Sequence, residues 1–231
     1  EMSASLVGSE MCIRDRWYNA LKIMESFANL YKEKELSKKY AELAKKCKES
    51  FIKKFYNKKR KCFDDLVGDN SIRPNQLFAI GLHYPVVEPN SVEAKTAFET
   101  VTKKLLTPYG LKTLAKGEKC YREIYEGDQI KRDMSYHQGI TWPWLLGIYS
   151  DSFLNIISAE KNKTKKKELE EQYSKFAQNV EDTFYNEMYN RSTVGSISEL
   201  YDSAKPYEAK GAFAQAWSVA EVFRIIEKRN K

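Results

Sequence analysis

Residues 140–157 read ITWPWLLGIYSDSFLNII, and this stretch decides the fold. Apolar side chains fall on nearly every face of a helix built from it, so such a helix is contacted on all sides and lies buried. The uninterrupted apolar run, Trp144–Tyr149, is far shorter than the roughly 20 residues a membrane span needs. No membrane partner is expected.

Working outward, buried and half-exposed helices alternate. An amphipathic pattern comes next over about 165–188, and a last apolar one over about 212–228. Upstream, Pro74 suits the first position of a helix over about 74–82, whose interior (Leu77, Phe78, Ala79, Ile80) is apolar nearly all round. An amphipathic helix over about 91–106, opened by Asn90 as N-cap, succeeds it. Before these, Tyr40, Leu43, Cys47, Phe51 and Phe55 share one face of a helix over about 36–56, and Leu21, Met24, Ala28 and Tyr31 form a stripe beginning after Trp17. No segment shows convincing period-two alternation. The order buried, amphipathic, buried predicts an all-α fold of two concentric helix rings, whereas a stacked solenoid would repeat every roughly 30 to 45 residues with short turns. The connections entering the buried helices (64–73, 107–138 and 189–211) are long and polar, which gathers them at one end of the ring, where a binding site is usually built.

Composition agrees with one globular domain: 42% of 231 residues are hydrophobic and 13% aromatic. A net charge of +7 is a modest surplus. Most lysines alternate with glutamates along helices, as in Lys32–Glu35, so a solvated surface is expected and no nucleic-acid partner. Cys12, Cys47, Cys62 and Cys120 are scattered, without C-x-x-C or a nearby His, and are expected as reduced thiols with no metal site and no cofactor. No signal-peptide pattern opens the chain, and a cytoplasmic location is expected. Residues 1–16, EMSASLVGSEMCIRDR, have neither helical nor strand periodicity and differ in composition from the Lys/Glu/Tyr-rich chain after them. They resemble translated sequencing-adaptor read-through and are set aside as foreign, with 17–231 as the native domain.

Each long connection ends in polar and aromatic residues at a buried helix start. The first supplies Arg73, Asn75 and Gln76; Asn75 alone could be a cap, but capping does not explain three polar residues together. The second supplies Asp128, then Tyr136, His137, Gln138 and Trp142, with Trp144 the weaker case. Trp faces stack on sugar C–H surfaces, while Gln, His and Asp hydrogen-bond hydroxyls. The third supplies Glu199, with Gln215 and Trp217 at the last helix. Ser196-x-x-Glu199 has capping-box spacing, but Pro206 and Gly211 leave little room for a helix. A carboxylate in a Gly/Ser turn at the mouth of a ring is better placed to activate water.

These motifs carry a resemblance. RPNQLFAI (73–80), LLTPYGLKTLA (105–115), YEGDQIKRDMSYHQGITWPWLLG (125–147), GSISELYD (195–202) and AQAWSVAEVFR (214–224) are similar to the carboxy-terminal half of the glycogen debranching enzyme family, its amylo-α-1,6-glucosidase domain. WYNALKIM (17–24) resembles the family's inner helix just after its first catalytic region. The resemblance implies an (α/α)6 barrel, here incomplete with about seven of twelve helices. It also implies hydrolysis of α-1,6-linked glucose stubs on glycogen or a branched limit dextrin, with inversion by an acid Asp and a base Glu. Glu199 matches the base; Arg73, Gln76, Asp128 and His137 would hold glucose hydroxyls, and Trp142 and Trp217 would wall the site. The family's acid lies in a Trp-x-Asp segment upstream of WYNALKIM, and nothing like it precedes Trp17. The fragment alone is therefore expected to be inactive and to need the missing amino-terminal part of its polypeptide. The alternatives are another (α/α)6 α-glucosidase, glucoamylase-like or trehalase-like, a non-catalytic glucan-binding barrel, and a helical protein scaffold.

Overall fold

A computed structural model describes residues 10–192 and 194–229. Eight α-helices among them carry the fold: α1 Glu10–Leu30, α2 Lys34–Phe55, α3 Phe78–Gly81, α4 Val92–Leu105, α5 Gln129–Tyr136, α6 Leu145–Ala159, α7 Lys163–Asn186 and α8 Ala216–Arg229. A 3-10 turn, Pro74–Leu77, leads into α3, and a π-turn, Glu187–Arg191, ends α7. The predominantly helical expectation holds. None of the described helices is long and apolar enough to cross a membrane.

The alternation seen in the sequence is realised as packing. α1 packs on α3, α3 on α6 and α6 on α8, while α2 packs behind α1, α4 beside the 3-10 turn and α6, and α7 behind α6 and α8. Leu145, Leu146, Ile148, Tyr149, Phe153, Ile156 and Ile157 of α6 are all buried, as expected of the helix contacted on every side. Phe98 of α4 stacks on Tyr149, their centroids 4.8 Å apart, and so pins the half-exposed helix to the buried one.

The ends of this row differ from its middle. Ile13, Trp17, Met24 and Phe27 of α1 are exposed at successive spacings of 4, 7 and 3 residues, and Tyr31 just beyond its end continues the row. That spacing is a helical stripe, flanked by the buried Leu21 and Ala28. α8 likewise exposes Trp217 and Phe223. Both terminal helices have an apolar face that the described residues do not cover.

Several boundaries move. α1 starts at Glu10, so residues 10–16, expected to be irregular, are helical, with Met11, Cys12 and Asp15 buried. Asp15 is a poor occupant of that place. It is fully buried, and its Oδ2 has no hydrogen-bond partner. Burial pushes its carboxyl up to about 8, with the Arg16 guanidinium 3.4 Å from Oδ1 offsetting part of the cost. Ser91, not Asn90, caps α4, accepting the Ala94 N–H at 3.1 Å. The stretch 107–138 is not all loop, since Asp128 caps α5 by accepting the Lys131 N–H at 2.9 Å.

Short strands also escaped the sequence: β1 Tyr56–Asn57 and β2 Cys62–Phe63 form a hairpin behind α2. β3 Leu106–Thr107, β4 Gly110–Lys112, β5 Thr141–Trp142, β6 Leu200–Tyr201 and β7 Ala209–Lys210 form an antiparallel ribbon in chain order. Thr141–Trp142 is thus strand, which delays α6 to Leu145. Gly110 (φ +148°) is needed where β4 passes β5, because a Cβ there would lie 2.3 Å from the Trp142 carbonyl oxygen. The ribbon joins the second and third long connections at one end of the helix row.

Candidate active site

Glu199 immediately precedes β6, and no helix starts at Ser196, so the capping-box spacing is unused. Across the β6–β7 hairpin, the Glu199 N–H donates to the Ala212 carbonyl at 2.8 Å, and the Ala212 N–H returns a bond to Glu199 Oε2 at 3.0 Å. The chain can pass this close because residue 211 is glycine. Its φ is +71°, and a Cβ there would lie 2.4 Å from Glu199 Oε2. The other oxygen, Oε1, accepts the Tyr136 hydroxyl from the end of α5. Glu199 is half-buried, fixed by one donor on each oxygen, with lone pairs to spare for a water proton.

Tyr136 is itself held on several sides. Its ring meets Trp142 edge-on at 4.7 Å and His137 at 4.7 Å, Tyr125 lies at 5.8 Å, and its carbonyl accepts the Trp142 indole N–H at 3.1 Å. Burial, then the hydrogen bond to Glu199, raises the phenol above its ordinary range, so it stays a donor. His137 stacks on Trp142 at 5.6 Å, and burial, helped by the Arg73 charge, lowers its imidazole to about 4. It is neutral near pH 7, with Nδ1 unpartnered. Trp217 meets Trp142 edge-on and stacks on Trp144 at 5.2 Å. Trp217 remains partly exposed.

The structure therefore brings Tyr136, His137, Trp142, Trp217 and Glu199 together. Others stand one layer back. Arg73 donates to the Thr113 and His137 carbonyls (3.2 and 2.8 Å) and to Gln138 Oε1 (3.0 Å), tying the first connection to the second. Gln76 is fully buried, accepting the Phe63 N–H and donating to the Arg73 carbonyl. Asn75 donates to buried Asp65 at 2.7 Å. Arg73 and Gln76 are thus engaged with the backbone and with neighbouring side chains, whereas the buried Asn75 Oδ1 has no hydrogen-bond partner. Gln215 is half-buried, and its backbone N–H donates to the Ile197 carbonyl at 2.9 Å. Asp128 sits at the opposite end of α5 from Tyr136, about 12 Å along the helix, with its side chain exposed. A cavity of about 330 Å³ opens beside His137 and Gln138, lined also by Lys119, Arg122, Asp133 and Met134.

Sequence reading missed Gly211 and Ala212, Asp65, and Asp202, which accepts the Tyr125 N–H at 2.7 Å and so fastens the hairpin to the α5 connection. Asp202 belongs to the GSISELYD motif. Gly211 carried a signal too, a glycine one residue beyond a turn-rich stretch. Among the described residues, no group of three or more His, Cys, Asp or Glu could hold a metal ion.

The profile of the amylo-α-1,6-glucosidase family matches residues 6–224. The chain belongs to this family. Its match begins inside the stretch set aside as foreign. Among solved structures, the fold is similar to a protein titled sialidase, with a TM-score of 0.67 and 15% identity. The likeness covers 89% of this chain and 18% of that one, so this family member spans under a fifth of the length of the protein it superposes on.

Proposed function

We propose that this chain is the base-bearing part of an inverting amylo-α-1,6-glucosidase that removes single α-1,6-linked glucose stubs from a branched α-glucan. The observation that carries the reading is the placement of Glu199, whose carboxylate is held by the Ala212 N–H and by Tyr136, the ring that packs on Trp142 and His137. Ionised Glu199 takes a proton from water. The water oxygen bonds to the anomeric carbon from the face opposite the leaving group, and the bond from that carbon to the branch oxygen breaks. That oxygen is protonated by a second carboxyl group, which an inverting site sets roughly 6.5–9.5 Å from the base. The second group comes from a segment of the same polypeptide outside this sequence. Helices of that segment would cover the bare stripe of α1 and Phe223 of α8, leaving Trp217 open, and complete an (α/α)6 barrel, which that uncovered apolar surface supports. The neutral imidazole of His137 and the Trp217 face are suited to glucose hydroxyls and ring C–H groups.

Glu199→Gln in the complete polypeptide is expected to lower glucose release from a branched limit dextrin by about four orders of magnitude, with dextrin binding retained. Near-normal turnover would remove Glu199 from the mechanism.

A further inference from the structure

The hydrogen bond between Tyr136 and Glu199 joins two segments 63 residues apart in the chain. α5, which ends at Tyr136, stands outside the row of buried helices, and of its residues only Ser135 is buried. Its place is set instead at the neck of the excursion that carries it. There the Arg122 N–H donates to the Gln138 carbonyl at 2.6 Å, so the chain entering the excursion meets the chain leaving it.

Asp202 and Ser203, just beyond Glu199 and β6, close on that neck from the hairpin. On the entering side, Asp202 Oδ1 accepts the Tyr125 N–H at 2.7 Å and the Ser203 N–H donates to the Glu123 carbonyl at 2.8 Å. On the leaving side, the Ser203 hydroxyl donates to the Gly139 carbonyl and, with its one proton spent there, accepts the Thr141 hydroxyl at 2.7 Å. Ser203 is therefore bonded to both sides. Asp202 is 3% exposed, so a Tyr125 N–H that lost it would be left unmatched away from water. Lys210 Nζ stands 3.9 Å from Asp202 Oδ2 and is partly exposed, an ion pair that adds little. What the neck requires of residue 202 is an acceptor rather than a charge.

We propose that Asp202 and Ser203 are positioning residues for the base: their latch on the neck fixes the Glu199 carboxylate against the Tyr136 hydroxyl, a coupling that the helix row does not supply. The inference rests on the function proposed above. Opening the latch lets Tyr136 and Glu199 drift apart while the groups that bind substrate stay in place, so the loss falls on kcat and not on KM.

Steady-state kinetics of the complete polypeptide on a branched limit dextrin test the proposal. Asp202→Ala is expected to lower kcat about 100-fold with KM little changed. Asp202→Asn keeps an acceptor and should restore kcat to within about threefold of the parent. Ser203→Ala keeps the backbone bond to Glu123 and should cost about tenfold in kcat, which carries the test where Asp202→Ala does not fold. In a Tyr136→Phe background Asp202→Ala should add little, leaving the double variant about 100-fold down instead of the roughly 1,000-fold of independent effects. Additive losses, a rise in KM alone, or an Asp202→Asn variant as slow as Asp202→Ala would overturn the latch. With Glu199→Gln inactive, those results leave the glucosidase reading standing, whereas near-normal turnover of Glu199→Gln overturns that reading and the latch with it.

Discussion

Asp15 and Glu199 are both carboxylates set among aromatic and aliphatic side chains, and their surroundings could hardly differ more. Glu199 is half-buried, has a donor on each oxygen, and sits where a glycine and a tyrosine have left room for it. Asp15 is wholly buried, carries an oxygen with no partner, and is held up to about 8 by burial. A carboxylate with a donor on each oxygen can stay ionised where it stands; one enclosed without them is driven toward its protonated form.

The sharpest way to break the comparison is at Gly211. A methyl group there meets Glu199 Oε2 and the backbone must leave φ +71°, so Gly211→Ala is expected to lower kcat of the complete enzyme about 100-fold, the scale of a displacement near 1 Å. Retained kcat would mean that the hairpin tolerates a shifted carboxylate. At the other end, Asp15→Ala should stabilise the chain by about 2 kcal/mol near pH 8. The sign is set by the raised value: the folded state holds a proton that the unfolded chain loses near 4, so stability falls as pH rises from about 4 to about 8. Urea melts across that window should show the decline in the parent chain and a flatter profile in the variant. An unchanged midpoint at pH 8 would mean that Asp15 is solvated. The smallest effect is expected at Tyr136. Tyr136→Phe removes one donor from Glu199 and keeps the ring packing, for a loss of about tenfold in kcat with KM little changed; a change in KM alone would make it a substrate contact.

How far the sequence could be read obeys the same division between period and partner. Helices with long apolar stripes, such as α2, α6 and α7, were legible because burial repeats every turn. The β3–β7 ribbon was not, since two or three residues cannot display a period, and Thr141–Trp142 was absorbed into the helix beside it. Glu199, Tyr136 and Trp217 could be picked out as polar and aromatic residues at loop ends. Their mutual contacts could not be, because α5 was hidden in a polar stretch whose helix depends on one cap, Asp128. Gln76 reads as ligand-facing from residue type alone, but the Phe63 N–H and the Arg73 carbonyl engage its amide, and Asn75 spends its amide N–H on Asp65.

The ribbon has a consequence for how the molecule comes together. β4 meets β5 some 30 residues later in the chain, and β5 meets β6 some 60 later, across the whole α6–α7 hairpin. Closing loops of that size before any strand is in place costs entropy that a few ladder bonds do not repay. The helical pairs therefore form first and draw these segments into reach, and the mouth, with Glu199 on it, is stitched shut last.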